Sequence, residues 1–182
     1  MRDPVLARII RERGFRPLPR LKGTHFSALA RSIVYQQLAP KSAAPIWRRV
    51  LLAMPGAPRA LPSVRVLRAA GLSRQKASYV RGIARAFADG RLSGPRLARM
   101  PSEALIERLT ELDGVGVWTA QMFLIFRLGR TDVLPLNDYG LQRAVKLAYR
   151  RRPTEAVLRE LGGRWAPYQA VACWQLWKWL DT

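Results

Sequence analysis

The stretch SEALIERLTELDGVGVWTAQMFLIF, residues 102–126, constrains the chain most, because it reads as two helices around a hairpin too short for anything else. On the first helix Glu103, Glu107 and Glu111 line one solvated ridge, while Leu105, Ile106, Leu109 and Leu112 face inward. The second helix is apolar nearly all round and is expected to be buried. Between them, Gly114 and Gly116 allow backbone angles and close approach that a side chain would block, where the next helix presents its unpaired amides. With the positive end of the helix dipole, those amides make an anion site that grips a phosphate without reading a base. Gly114, Val115, Gly116 and Val117 are therefore candidate contacts to a nucleic-acid backbone. A bare GVG also fits an ordinary αα-hairpin whose glycines merely turn the chain, so its surroundings decide.

Those surroundings are punctuated for helices and carry almost no strand signal. Asp3 caps a helix that starts at Pro4 and stops at Gly14. Further helices fit about 24–38, 40–54, 63–70, 74–88, 102–112, 117–127, 138–150, 155–161 and 167–180, and Pro45 is expected to kink or shorten the second of these. Residues 55–62 form a Pro- and Gly-rich loop. No repeat, low-complexity tract or linker breaks the pattern, so the expectation is one all-α domain over residues 1–182 with about nine or ten helices.

A chain of 182 residues buries roughly 70% of the surface its unfolded form exposes, enough for a core without disulfides or a structural metal. Cys173 is the only cysteine, which excludes an internal disulfide, a four-cysteine zinc site and a cysteine-ligated iron–sulfur cluster, and suits a reducing cytoplasm. The opening MRDPVLARII interleaves charges with apolar residues and lacks a small-residue cleavage site, unlike a signal peptide. No apolar run approaches the roughly 20 residues of a membrane span, so a soluble, cytoplasmic protein without a membrane partner is expected. The 32 Lys and Arg outweigh 12 Asp and Glu, for a formal net charge of +20. Such an excess suits a polyanion and makes binding salt-dependent, although a ribosome-associated protein or an Arg-rich proteome would share it. Because the chain is 49% hydrophobic, these charges sit on a folded surface and not on a disordered tail.

Five ordered blocks carry a resemblance. LDGVGVWTA, residues 112–120, resembles the hairpin signature of the helix-hairpin-helix DNA glycosylases, and TDVLPLNDYGLQRAV, residues 131–145, falls where that superfamily carries its catalytic aspartate. FSALARSIVYQQLAPKSAA from Phe26, GLSRQKASYVRGIA from Gly71 and RWAPYQAVACWQLW from Arg164 are similar to the 3-methyladenine glycosylase II branch. The resemblance spans about residues 20–180 and looks like the compact form, without the N-terminal β-sheet domain of longer members. It implies helices around a central cleft, and an enzyme of base excision repair that flips an alkylated base out of duplex DNA and hydrolyses its N-glycosidic bond. The implied partner is duplex DNA containing alkylated bases, met by a monomer with no obligate protein partner. No cofactor is implied; a monovalent cation at the hairpin, when DNA is bound, is the one candidate. Asp138 falls on the catalytic position, and a base-stack wedge belongs in the turn after the second helix, at Gln37 or Leu38. Bifunctional members carry a lysine nucleophile in a GVGxKTA pattern; Trp118 stands at that place here, which implies hydrolysis without strand cleavage.

The residues have their own chemistry beside this resemblance. Asp138 follows the apolar VLPLN and opens a helix whose dipole helps keep it ionised. Capping is the common task of an Asp there, but Asn137 can cap instead and leave Asp138 to point into a cleft. Departure of a base from C1′ builds positive charge on the sugar, and a fixed carboxylate stabilises it and orients the attacking water. An alkylated purine is already cationic and leaves easily, so what remains to supply is an aromatic slot. Trp118, Tyr139, Trp174 and Trp177 are the candidates, joined by Tyr35 and by Met122, one helical turn past Trp118. Each electron-rich ring would contribute roughly 0.5–2 kcal/mol on a cationic base held out of the stack. For Trp174 and Trp177, plain core packing explains the residues equally well. His25 reads as a surface residue near a helix start, in no metal pair. The rival reading is a non-catalytic DNA-binding module built on the same hairpin, and Asp138 discriminates between the two; a metal-dependent nuclease would need clustered carboxylates.

Overall fold

The computed structural model describes residues 3–55 and 57–181; Met1, Arg2, Thr182 and Gly56, the last within the loop expected over 55–62, lie outside the described residues. Eleven α-helices are present among the described residues: α1 (Pro4–Arg13), α2 (His25–Tyr35), α3 (Pro40–Leu52), α4 (Val64–Ala69), α5 (Arg74–Ala88), α6 (Gly94–Arg99), α7 (Ser102–Thr110), α8 (Val117–Phe123), α9 (Tyr139–Ala148), α10 (Glu155–Trp165) and α11 (Gln169–Leu180). A π-helical segment, Leu124–Leu128, follows α8, and no strand occurs among the described residues. The all-α expectation holds, with one helix more than foreseen. That helix is α6, six residues long with Leu97 alone fully buried, too short to display a period. No helix among the described residues is long and apolar enough to cross a membrane.

Local chemistry explains most boundaries. Asp3 Oδ1 accepts from the Val5 and Leu6 amides at 3.0 Å each, and Gly14, at φ 75°, ends α1 in a conformation that favours glycine. Thr24, Ser63, Ser73 and Thr154 cap α2, α4, α5 and α10 in the same manner. Three expectations shift. α2 stops at Tyr35 and not near Leu38, because Gln37 turns to φ 59°. α3 runs through Pro45, which removes one amide donor without breaking the helix. α10 extends to Trp165.

The chain divides into two compact units, one running Leu21–Phe123 and the other joining the residues up to Arg20 to those from Leu124 onward. In the first, α2 is the central helix: Phe26, Leu29, Ile33 and Val34 are buried where α3 and α5 pack. In the second, α11 is central and meets α1, α9 and α10. Its core joins Leu6, Ile9, Leu141, Val145, Leu158, Leu161, Trp165, Cys173 and Leu176. Each such aliphatic side chain contributes on the order of 1.5–3 kcal/mol of burial, offset by the entropy of ordering it. Cys173 is fully enclosed, and burial first, the nearby charge of Asp138 second, push its thiol well above the ordinary range.

Candidate active site

In the unit built on α11, Asp138 and Asp3 are the buried carboxylates among the described residues, and both are helix N-caps that also accept a hydrogen bond from an indole. Asp3 divides its oxygens, Oδ1 to the α1 amides and Oδ2 to Trp165 Nε1 at 3.1 Å. Asp138 takes the Leu141 amide at 2.6 Å and Trp177 Nε1 at 2.8 Å, both on Oδ1. Asp138 thus caps α9 itself, and the expectation that Asn137 would do so is corrected. Asp138 has the extended backbone of a capping residue, φ −78° and ψ 119°, and its own amide closes a turn onto Pro135 O, so the helix begins at Tyr139, two residues beyond Asn137. Capping and catalysis are therefore not alternatives. The cap holds the carboxylate fixed at the positive end of α9.

Gly140 leaves room for this arrangement, and sequence reasoning missed it. A Cβ there would lie 3.1 Å from Asp138 Oδ1 and 3.1 Å from Trp177 Cδ1, in the space the indole needs to reach the carboxylate. A glycine in the first turn of a helix, beside the residue of interest, was the available signal. Trp177 and Trp174 both pack on Phe126, with ring centroids 6.0 and 5.7 Å away. Trp174 carries Lys178 over its ring at 5.1 Å, and its Nε1 is buried without a hydrogen-bond partner. Trp177 is thereby tied to the carboxylate and Trp174 to the packing around Phe126. Tyr139, the first residue of α9, is 77% exposed.

In the unit built on α2, the two hairpin glycines have different tasks. Gly114 adopts φ 82°, and a Cβ there would collide with the Tyr79 ring. Gly116 has no such backbone demand, and a Cβ there would meet nothing within 4 Å. Among the described residues nothing requires Gly116 to be glycine. Val115 is buried and anchors the turn, whereas Val117 and Trp118 are 49% and 47% exposed. The expectation that α8 is buried all round is therefore corrected for its first turn: its covered residues are Thr119, Ala120 and Phe123, which leaves the Val117–Trp118 side to solvent. Met122 is half-buried on the same helix, and half-buried Tyr35 holds the Arg31 guanidinium 4.5 Å above its ring. His25 is also corrected: it is half-buried and packs edge-on against Phe123 at 6.0 Å, an apolar partner its place at the helix start did not reveal.

Gln37 and Leu38 lie together in the exposed turn after α2. Two residues unforeseen in the sequence hold this turn. Gln36 Nε2 donates to Gly114 O at 2.8 Å, and Lys76 Nζ donates to Val34 O and Gln36 O at 3.1 and 2.6 Å. Among the described residues no group of three or more His, Cys, Asp or Glu is placed to hold a metal ion.

The family model for the HhH-GPD superfamily base excision DNA repair proteins matches residues 30–167. The chain is 32% identical over 162 residues to DNA-3-methyladenine glycosylase 1 of Schizosaccharomyces pombe, covering 84% of this chain and 71% of that protein. A DNA-3-methyladenine glycosylase of Bacillus subtilis is 32% identical over 106 residues, 57% of this chain but only 35% of that protein. Among solved structures, a DNA-3-methyladenine glycosidase from Bacillus halodurans superposes with a TM-score of 0.88 at 40% identity, over 97% of this chain and 84% of that one. The Schizosaccharomyces pombe 3-methyladenine DNA glycosylase bound to abasic DNA superposes with a TM-score of 0.79 at 30% identity, over 97% and 91%. With the family model matching residues 30–167 and the helical architecture shared with these relatives along most of the chain, this protein belongs to the HhH-GPD superfamily of base excision DNA repair proteins.

Proposed function

We propose that this protein is a monofunctional DNA glycosylase that flips an alkylated, 3-methyladenine-type base out of duplex DNA and hydrolyses its N-glycosidic bond, leaving an abasic site. The observation that carries this reading is Asp138, an oriented carboxylate held on one oxygen by the Leu141 amide and the Trp177 indole. As the bond to the base lengthens, positive charge grows on the sugar, and a carboxylate already fixed in place stabilises it without reorganising. The same group orients and accepts the proton of the water that completes hydrolysis. The base departs with the electron pair of the broken bond, and a cationic alkylated purine leaves as a neutral molecule. Trp118, half exposed on α8, offers an electron-rich face to such a cation.

Gly116 supports a phosphate contact at the hairpin, since the open space beside it gives an external partner room to approach the backbone closely. Gly116→Leu is expected to keep the wild-type Tm and to lose affinity for damaged and undamaged duplex by the same factor, about ten-fold, as measured by fluorescence anisotropy. A selective loss for damaged DNA would place a base, and not a phosphate, at this glycine.

The monofunctional part rests on Trp118, which offers no amine to attack the sugar. Borohydride added during turnover of alkylated DNA is expected to trap no protein–DNA adduct, with strands breaking only after alkali or heat. A trapped adduct in denaturing electrophoresis would overturn it.

A further inference from the structure

We propose that Lys76 is a positioning residue for base flipping, which ties the Gln37–Leu38 turn to α5 while Gln36 ties it to the hairpin, so that the wedge and the phosphate grip move as one piece. The proposal rests on the reading of that turn as the wedge. Its basis is a junction of three segments in one unit. Lys76, in the first turn of α5, reaches across to the end of α2 and donates to the carbonyls of Val34 and Gln36. These are terminal carbonyls that no further turn of α2 satisfies, at the negative end of its dipole, where a cation is favoured. Gln36, between them and the turn, sends its amide onward to Gly114 O in the hairpin. The next residue, Gln37, sits at φ 59°, a conformation that costs energy for any residue but glycine and persists only where its surroundings hold it.

An ordinary surface lysine would behave differently. Among the described residues Lys76 has no carboxylate partner; it spends its donors on backbone and lies half-buried, and that burial holds its ammonium below the ordinary lysine range. A charge desolvated only to satisfy two carbonyls next to a strained turn acts on the turn. Entry of a wedge into the gap left by a flipped nucleotide needs the turn to resist the returning base, and resistance depends on what the turn is fastened to. Here it is fastened twice, to α5 through Lys76 and to the hairpin through Gln36.

The test uses the full chain, a duplex with 2-aminopurine beside a tetrahydrofuran abasic analogue, and a second duplex carrying an alkylated base. In wild type, wedge entry unstacks the probe and raises its fluorescence. Lys76→Met keeps an unbranched apolar stem only one atom shorter and removes the charge-assisted bonds. It is expected to slow the fluorescence rise and single-turnover excision together by about ten-fold, while affinity for undamaged duplex stays within about two-fold. Lys76→Arg, which keeps the donors, is expected to restore most of the rate. Gln36→Met cuts the other fastening and is expected to slow the rise similarly, which serves the test if Lys76→Met does not fold. Wild-type fluorescence kinetics in folded Lys76→Met, or in Gln36→Met if the lysine variant fails to fold, would overturn the proposal. No fluorescence change in wild type would remove the wedge reading and this proposal with it. A normal fluorescence rise without excision by wild type would instead remove the glycosylase reading and leave the role of Lys76 standing.

Discussion

Asp138→Asn is expected to slow single-turnover excision of an alkylated base by about 100-fold or more, with folding and DNA affinity near wild type. The structure makes this substitution unusually clean. An Asn oxygen can accept from both the Leu141 amide and Trp177 Nε1, so the cap of α9 and the placement of the indole survive. What disappears is the negative charge proposed to face the developing sugar cation, a loss of at least about 2.7 kcal/mol by analogy with other preorganised electrostatic contacts. Binding is not expected to weaken, since a carboxylate near DNA is repelled by phosphates; an abasic analogue is expected to bind as tightly or more tightly. Asp3→Asn is the matched control, another indole-bonded N-cap in the same unit, and it should lower Tm while leaving the excision rate alone. Excision by Asp138→Asn at the wild-type rate would reduce Asp138 to the same structural task as Asp3.

The second large effect belongs to Gly114. Gly114→Ala forces a side chain into the left-handed region and drives its Cβ into the Tyr79 ring. The backbone term alone is roughly 1–2 kcal/mol, and displacing a packed aromatic adds to it. A total of about 2 kcal/mol corresponds to a Tm lower by about 4–8 °C in a protein of this size, visible by calorimetry. Duplex affinity should fall with it, because the same turn presents the amides proposed to meet phosphate. Adding Tyr79→Ala should recover the part owed to the collision and leave the part owed to φ. Neighbouring glycines would then separate by experiment, Gly114 needed by the fold and Gly116 by the ligand. A wild-type Tm for Gly114→Ala would show that the turn is looser than its geometry implies.

The parts of the fold that were legible in the sequence are those whose cause is local. α1 is bounded by Asp3, Pro4 and Gly14, and α5 by Ser73, each a residue acting on backbone within four positions. The parts that were not legible have distant causes. α2 stops early because Lys76 and Gln36 hold its end from α5 and from the hairpin, and no glycine announces the turn at Gln37. The π-helical Leu124–Leu128 carries no composition that separates it from α8 before it. The site divides in the same way. Asp138 was found because its charge is scarce and its place is marked, whereas Gly140 and Phe126 act only through what they admit or support: an indole on a carboxylate, and two indoles on a ring.

The enclosed Cys173 has a consequence for a protein whose proposed substrates are made by electrophiles. Reagents that methylate purines also consume thiolates, and a thiolate is ordinarily the softest nucleophile a protein offers them. This chain has a single cysteine, fully buried in the α11 core, with its ionisation suppressed by that burial and by the carboxylate of Asp138. Near neutral pH the sulfur is therefore a protonated core group with no exposed surface. The charge proposed to promote release of a damaged base also helps keep the one thiol beside it chemically silent toward the agents that cause the damage.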